Sequence, residues 1–423
     1  MNPLAPGVTV VTPEHRRLLA AGMLCYGFDA LDFMMLAMAM PLLISEWHMS
    51  LGEAGLLGTA GMIGVGLNGL VLGWYSDRHG RRRALLVSVV IFAVFTAAIA
   101  FAQSPFQIMV LRFFAGFGIG GVWGAVTALV KESWPAGHRV RAISWVLAAF
   151  PLGVIAAAVL AWFLLPRYGW RPLFLCGALA LVSAWYAHRV VPESASWRAA
   201  RQAPDGAERT GMLAIFAPAH RWHTICGTLV AASGLTAYWG INTWLPTYLV
   251  RTQGLSPAAS FQCLLLLNAG MFCGYPLLAA AGERFGKYRV LIASFALAAL
   301  MVPLYAQVRD ATLLLWLGPV MAAGFAQTGL LGAYFPELFP TRMRSLGAGF
   351  CFNAGRGVAA FSPYLFGELA THVGLARSIA LCGIGYLVAS LFMLLLPRNP
   401  LYADAETRPT NSVAPAIASA ASR

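Results

Sequence analysis

Charge is scarce in this chain of 423 residues: Asp, Glu, Lys and Arg make up 11% of it, against roughly 25% in an ordinary soluble domain. A soluble protein of this length needs far more polar surface to cover its core, so a soluble fold is excluded. Lysine is nearly absent, with only Lys131 and Lys287. The formal net charge is still +13, but no basic tail or aromatic–basic groove accompanies it, which removes nucleic acid as a partner. The seven cysteines (Cys25, Cys176, Cys226, Cys263, Cys273, Cys351 and Cys382) form no CxxC and no Cys/His pair. Neither a disulfide framework nor a zinc site is predicted. No Walker loop is present, so ATP hydrolysis is not the energy source. The eight histidines form no ligand cluster, and His15, His188 and His220 are expected to face headgroups or water. No metal or cofactor is expected. The alternating ten-residue strands of a membrane barrel are missing, and Met1 to Arg17 carries neither the apolar stretch nor the cleavage site of a signal peptide.

What is abundant is apolar. Hydrophobic residues are 59% of the chain, and they come in runs of about twenty, the length that crosses a hydrocarbon core as helix. Backbone groups in lipid must be paired internally, so these runs read as helices. Candidate spans are 18–44, 54–74, 84–102, 108–130, 142–165 and 172–191, then 224–250, 260–281, 290–308, 312–335, 346–369 and 377–396. The polar break 192–223 holds Pro204, Asp205, Gly206, Glu208 and Arg209 and joins two six-helix halves, 18–191 and 224–396. An N-tail, 1–17, and a C-tail, 397–423, flank them. The C-tail is rich in Ala, Ser, Thr and Pro and is expected to be disordered. The predicted fold class is an all-α membrane protein of about twelve transmembrane helices in two pseudo-symmetric six-helix bundles.

Lys and Arg set the orientation. With both termini in the cytoplasm, 22 of the 29 cations fall in cytoplasmic segments and five (Arg167, Arg171, Arg251, Arg309, Arg377) in outer loops. The remaining two, Arg112 and Arg356, lie within spans. This asymmetry predicts a multi-pass protein of a bacterial inner (plasma) membrane with an even number of spans.

Two motifs recur at nearly one offset. Asp77-Arg78-His79-Gly80-Arg81-Arg82-Arg83 follows the second span, and Glu283-Arg284-Phe285-Gly286-Lys287-Tyr288-Arg289 follows the eighth. Glu132-x-x-Pro135-x-x-x-Arg139 follows the fourth span, and Glu337-x-x-Pro340-x-x-x-Arg344 the tenth. The offsets are 206 and 205, close to half the chain. Two parallel repeats of this kind place a small-molecule site between them near mid-membrane.

Charges inside a span are costly, around 2.5–3.5 kcal/mol each on insertion scales, and are candidates for function. Here they are Asp29, Asp32, Arg112 and Arg356. Asp29 and Asp32 share one helix face. Two neighbouring acids in a low dielectric disfavour double ionisation and raise a carboxyl's affinity for a proton. Either acid is therefore a proton carrier, unless one simply pairs with Arg112. Arg112 balances charge for one of them or makes a structural ion pair. Arg356 stays charged and can hold a carboxylate bidentately; Gly355 and Gly357 leave space beside it. The competing reading is a structural pair with an acid of another helix. Tyr238, Trp239, Asn242 and Trp244, with Asn268, Gln327, Tyr334, Trp123 and Trp145, are candidates to line an organic pocket. Interface anchoring or helix packing explains any one of them as well. The glycines of the second span (Gly55, Gly58, Gly61, Gly66, Gly69, Gly73) read as close helix contact.

Gly73-x-x-x-Asp77-Arg78-x-Gly80-Arg81-Arg82-Arg83 resembles the major facilitator signature between spans two and three. Arg112-x-x-x-Gly116-x-Gly118-x-Gly120-Gly121 resembles that superfamily's fourth-span motif. Pro192-Glu193-Ser194-x-x-Trp197 and Pro336-Glu337-x-x-Pro340-Thr341-x-x-Arg344 are similar to loop motifs of its metabolite-uptake branches, sugar porters included. Gly27-Phe28-Asp29-x-x-Asp32 is similar to the first span of the aromatic acid:proton symporters, and the sialate and other organic-acid symporters share much of the pattern. The resemblance covers about residues 18–396. It implies the major facilitator fold, a monomer, and a span-eleven arginine, Arg356, for the acid. The cytoplasmic gate it implies comprises Gly73, Asp77, Arg78, Gly80, Arg81, Glu132 and Arg139 in one half and Glu283, Arg284, Gly286, Glu337 and Arg344 in the other. Acid beside base in both halves reads as a latch; topology alone is the plainer explanation of the cations.

The expected function is proton-coupled uptake of a small organic carboxylate, aromatic by the resemblance, with the bilayer as solvent and a proton as co-substrate. Proton-coupled drug or metabolite efflux is the alternative. Phe150-Pro151-Leu152-Gly153 followed by Ala156-Ala157-Ala158 departs from the Gly-x-x-x-Gly-Pro motif of the antiporters. Uptake of a sugar or sialate is a further alternative, though a neutral sugar suits amide walls better than Arg356. A sensor needs an output domain and an enzyme a nucleophile–base or metal constellation, and neither is visible.

Overall fold

The computed structural model describes residues 11–135, 138–194, 197–198, 212–340 and 343–398. Residues 195–196 and 199–211 of the joining loop and the C-tail after 398 lie outside these residues, as does the side-chain environment at Gly73 and Asp77 of the expected gate. Among the described residues there are helices and no strands. The first half comprises α1 (Pro13–Glu46), α2 (Leu51–His79), α3 (Arg81–Ile99), α4 (Pro105–Ser133) and α5 (Arg139–Tyr168), and α6 (Arg171–Val190). The second comprises α7 (Arg221–Thr252), α8 (Pro257–Phe285), α9 (Lys287–Gln307) and α10 (Ala311–Leu338). Its last two crossings are α11 (Arg344–Ala359) continued by α12 (Ser362–Val373), and α13 (Leu375–Leu394). Ten helices of the described residues are long and apolar enough to span by themselves. With α2 and the jointed α11–α12 they make two sets of six.

The spans depart from the sequence reading at their joints. Helix α1 begins at Pro13, inside the expected N-tail, and α7 at Arg221. The eleventh crossing breaks at Ala360–Phe361 because Pro363 stands in the first turn of α12, where its missing N–H is tolerated but continuation from the preceding helix is not. The tenth is interrupted at Ala326, between Phe325 and Gln327.

The repeat is written in the helix caps. Ser50 and Ser256 cap α2 and α8, accepting from Glu53 N at 3.1 Å and Ala259 N at 3.2 Å. Ser104 and Asp310 cap α4 and α10 in the same way, at 3.3 and 2.8 Å. Gly80 (φ 102°) and Gly286 (φ 88°) make the turns into α3 and α9, a backbone conformation natural to glycine. Each pair is 206 residues apart, so equivalent local chemistry builds equivalent corners in both halves.

Glycines set how closely the helices approach. Gly61 and Gly116 bring the α2 and α4 backbones together, and Gly27 and Gly153 do so for α1 and α5. Gly55 and Gly58 instead face Pro363 of the other half, and Gly367 of α12 faces Leu51 and Trp244. Tyr364 N donates to Thr59 Oγ1 at 3.2 Å, and Arg251 Nη2 to the Pro41 carbonyl at 3.1 Å. Trp162 stacks on Phe261 at 5.5 Å. These contacts close the two halves against each other at the face opposite the basic loops.

His15 corrects an expectation. It is fully buried, its Nδ1 accepting from Thr12 N at 3.1 Å and its Nε2 donating to the Ser133 carbonyl at 2.9 Å. It ties the start of α1 to the end of α4 rather than facing water.

Candidate functional site

The four in-span charges sit in two groups that meet at α1. Asp32 is fully buried and its Oδ1 is held twice: Thr96 Oγ1 donates to it from α3 at 2.6 Å, and Arg112 Nη1 from α4 at 3.3 Å. Arg112 is 1% exposed and packs over Gly61 of α2, so glycine at that position leaves room for the guanidinium. Asp32 Oδ2 and Arg112 Nε have no partner among the described residues. Asp29, one turn earlier, is also buried. It makes no ion pair within 4 Å among the described residues; its cationic neighbour is Arg356 across the interface between the halves, acting through space together with Tyr26. Of the two pairings open to Arg112, the structure chooses Asp32.

Arg356 is only half-buried, and it too makes no direct hydrogen bond or ion pair to a described residue. It shares with Gly349 and Asn353 the face of α11 turned away from the exposed Val358. Asn353 is exposed and Gly349 has open space where a side chain would begin. Gly124 of α4 and Gly332 of α10 border open space as well. Arg356 thus lies on a helix face where space is open beside the backbone.

Around the charges stands a ring of aromatics. Tyr26 of α1 lies 5.3 Å from Trp123 of α4 and 5.9 Å from Phe150 of α5. Phe150 lies 6.4 Å from Trp239 of α7, and Phe33 of α1 lies 4.2 Å from the same indole. Tyr238 packs edge-on against Trp239 at 5.1 Å. The Tyr275 hydroxyl pairs with Thr328 Oγ1 at 3.3 Å, adding polar tips from α8 and α10. Apolar walls with one unpaired cation and a few hydroxyls suit a small organic anion.

The other predicted lining residues divide. Tyr238 and Trp239 belong to the ring. Trp145 does not: it is 48% exposed and contacts none of these aromatics, because Phe150 holds the inward position on α5. The amides of Asn242 and Asn268 close on their own helices, to the Tyr238 carbonyl at 2.9 Å and the Leu264 carbonyl at 2.8 Å. Gln327 is buried and accepts from Ser294 of α9 at 3.4 Å. Sequence reading missed Tyr26, Phe33, Phe150, Tyr275 and Thr96. For Tyr26 and Phe33 a signal existed, since they fall on the helical stripe of Asp29 at intervals of three and four.

At the basic face the expected acid–base pairs form within each half. Arg81 Nε lies 3.2 Å from Glu132 Oε1, and Lys287 pairs with Glu337. Arg139 Nε instead donates to the Trp134 carbonyl at 2.8 Å. Arg284 lies over the Phe285 ring at 5.3 Å, and Glu283 is exposed with no ion pair among the described residues. Arg78 lies in the last turn of α2 and Arg344 opens α11. The residue that organises the first corner is Glu193: its Oε1 accepts from Arg81 N at 2.8 Å and Arg82 N at 3.2 Å, capping α3 directly against Gly80.

Two related six-helix halves, closed at one face around a charged aromatic chamber, define an α-helical membrane transporter of the alternating-access type. The family comparison makes this specific: the model of the Major Facilitator Superfamily matches residues 22–279, and the chain belongs to that superfamily. It is 30% identical over 403 residues to the gentisate transporter of Corynebacterium glutamicum, covering 93% of this chain and 90% of the relative. It is 28% identical over 382 residues to the cis,cis-muconate transport protein of Acinetobacter baylyi, covering 88% and 92%. Among solved structures, a D-xylose-proton symporter superposes with a TM-score of 0.74 at 19% identity, over 91% of this chain and 98% of that one, and shows the same fold. The chain is a transporter and not an enzyme.

Proposed function

We propose that this protein takes up a planar, conjugated organic carboxylate, aromatic in the simplest case, together with protons. The observation that carries the reading is Arg356: a half-buried guanidinium without a direct partner among the described residues, in a chamber walled by Tyr26, Trp123, Phe150 and Trp239. A fixed fork of donors matches a carboxylate, and the surrounding rings match a flat conjugated body by stacking or edge contact. Gentisate and cis,cis-muconate, the compounds named for the two relatives, share that chemistry.

Proton coupling falls to Asp29 and Asp32. Asp29 faces the same arginine that binds the substrate anion, so carboxylate binding at Arg356 competes with Asp29 for one positive charge. Substrate binding therefore favours a protonated Asp29. Asp32, held by Arg112 and Thr96, is the second proton site. An anion accompanied by protons moves less negative charge against the membrane potential, which is worth about 2.3 kcal/mol per charge per 100 mV.

The basic loops face the cytoplasm of a bacterial plasma membrane, by the excess of Lys and Arg on that side. The chain works as a monomer, because the chamber is complete within one copy. Arg81–Glu132, Lys287–Glu337 and the Glu193 cap brace the cytoplasmic corners of each half as the halves rock.

The test is uptake into proteoliposomes with and without an inward proton gradient. The panel is gentisate, benzoate, cis,cis-muconate, an aliphatic monoacid, sialic acid, glucose and a cationic dye. Gradient-stimulated uptake of conjugated acids that Arg356→Ala abolishes is the expected result. Dye movement against the gradient with no acid uptake, or glucose uptake unaffected by Arg356→Ala, overturns the reading.

A further inference from the structure

Phe33 follows Asp32 on α1, and its ring lies between Trp239 of the opposite half and Arg112. Trp239 of the opposite half lies 4.2 Å from it between centroids, and the Arg112 guanidinium carbon stands 5.9 Å from the same centroid. Phe33 is buried, so little water screens either contact. A line of contacts thus runs from the chamber to the buried acid: Trp239, Phe33, Arg112, Asp32, Thr96.

The charged and titratable groups facing Asp32 are few. Arg112 comes from α4, and Asp29 lies one turn back on α1. The hydroxyl of Thr96 on α3 carries no charge, α2 offers Gly61, and Arg356 and Tyr26 address Asp29 instead. When Asp32 takes a proton, Arg112 is left in the interior without a counter-charge, which is strongly unfavourable unless another group compensates. The negative face of an aromatic ring at about 6 Å is such a group. Trp239 seats that ring, and Trp239 belongs to the half that moves relative to α1 during alternating access.

We infer that Phe33 is a positioning residue that couples the substrate chamber to the Asp32–Arg112 pair, holding the Arg112 guanidinium while Asp32 is protonated. The seat against Trp239 differs between the two transport states and changes with a conjugated acid in the chamber, so the protonated state of Asp32 is supported in one state and not in the other. This rests on the proton-symport reading, and the test below includes a readout that needs no substrate.

The variants are Phe33→Leu and phenylalanines of increasing ring fluorination inserted at position 33, which weaken the ring's attraction for a cation with little change of shape. The substrate-free readout is the pH midpoint of thermal unfolding of the full-length protein, taken as the difference from Asp32→Asn in each background. A weaker ring disfavours protonated Asp32, so each added fluorine moves the midpoint to lower pH. In proteoliposomes with gentisate, Phe33→Leu lowers energy-independent exchange far less than proton-driven accumulation, each taken relative to wild type. Its proton-driven accumulation falls roughly tenfold, the scale of one cation–π contact. Midpoints that ignore fluorination overturn the inference, as does equal loss of exchange and accumulation in Phe33→Leu. Failure of wild type to exchange any conjugated acid overturns the substrate reading instead, and leaves the midpoint series to decide the role of Phe33.

Discussion

Arg112 Nη1 and Asp32 Oδ1 stand 3.3 Å apart in a site where each side chain is 1% exposed, joining α1 to α4 inside the first half. Removing one partner from such a pair leaves an uncompensated buried charge. Asp32→Ala is expected to lower stability by about 3–5 kcal/mol, and Asp32→Ala with Arg112→Ala by distinctly less than the sum of the single changes. Thermal unfolding in detergent measures both. Strict additivity would show that the pair is not energetically coupled.

Asp29 should behave differently. It has no ion pair within 4 Å among the described residues, so Asp29→Asn is expected to cost no more than about 1 kcal/mol of stability. Its effect should fall on transport: exchange of gentisate continues, while accumulation driven by a proton gradient is lost. Stability loss equal to that of Asp32→Ala would place Asp29 in the structural frame rather than in coupling.

For Arg356, the substitution that separates charge from geometry is Arg356→Lys. Losing a desolvated charge pair with the substrate costs on the order of 2–5 kcal/mol, or roughly 30-fold and more in kcat/KM, for Arg356→Ala. Lys keeps the charge and loses the bidentate fork, so recovery should be partial. Initial-rate uptake at several concentrations decides it. Full activity in Arg356→Ala would move the carboxylate site elsewhere.

The closed face rests on close backbone contact at Gly55 and Gly367 and on the Pro363 ring packed against Gly58. A bulky side chain there has nowhere to go while the halves touch, so Gly367→Leu is expected to hold them apart. Spin labels at Glu53 and His372 should then report longer distances than in wild type, with substrate still binding and uptake abolished. Unchanged distances would mean that the helices yield locally.

Glu193 caps α3 through the Arg81 and Arg82 amides. Glu193→Ala should cost about 0.5–2 kcal/mol, as other cap removals do, and should reduce the maximal uptake rate more than the apparent affinity. A change in affinity alone would argue that Glu193 acts on the chamber.

Much of this site was legible before any fold was known. Asp29, Asp32, Arg112 and Arg356 declare themselves because a charge within an apolar run is costly. The repeat declares itself because the capping Ser50 and Ser256, or the turn glycines Gly80 and Gly286, answer the same local need twice. The amides did not: Asn242 and Asn268 look like pocket residues in sequence, yet a buried amide satisfies itself at the carbonyl four residues back. Trp145 misled for another reason. Its exposure depends on the rotation of α5, which the contact of Gly153 with Gly27 sets.

By itself the sequence determined the membrane-spanning class, the two halves, the corners between helices and the small set of charges placed within the spans. Each of these follows from chemistry local to a residue or a turn: hydropathy, capping, backbone freedom and the cost of an ion in lipid. Tertiary structure alone decided that Arg112 takes Asp32 and leaves Asp29 to face Arg356, that Phe33 stands between Trp239 and Arg112, and that the face opposite the basic loops is closed. Those outcomes depend on the rotation and depth of helices far apart in the chain. Both are set by how small residues on different spans let their backbones meet.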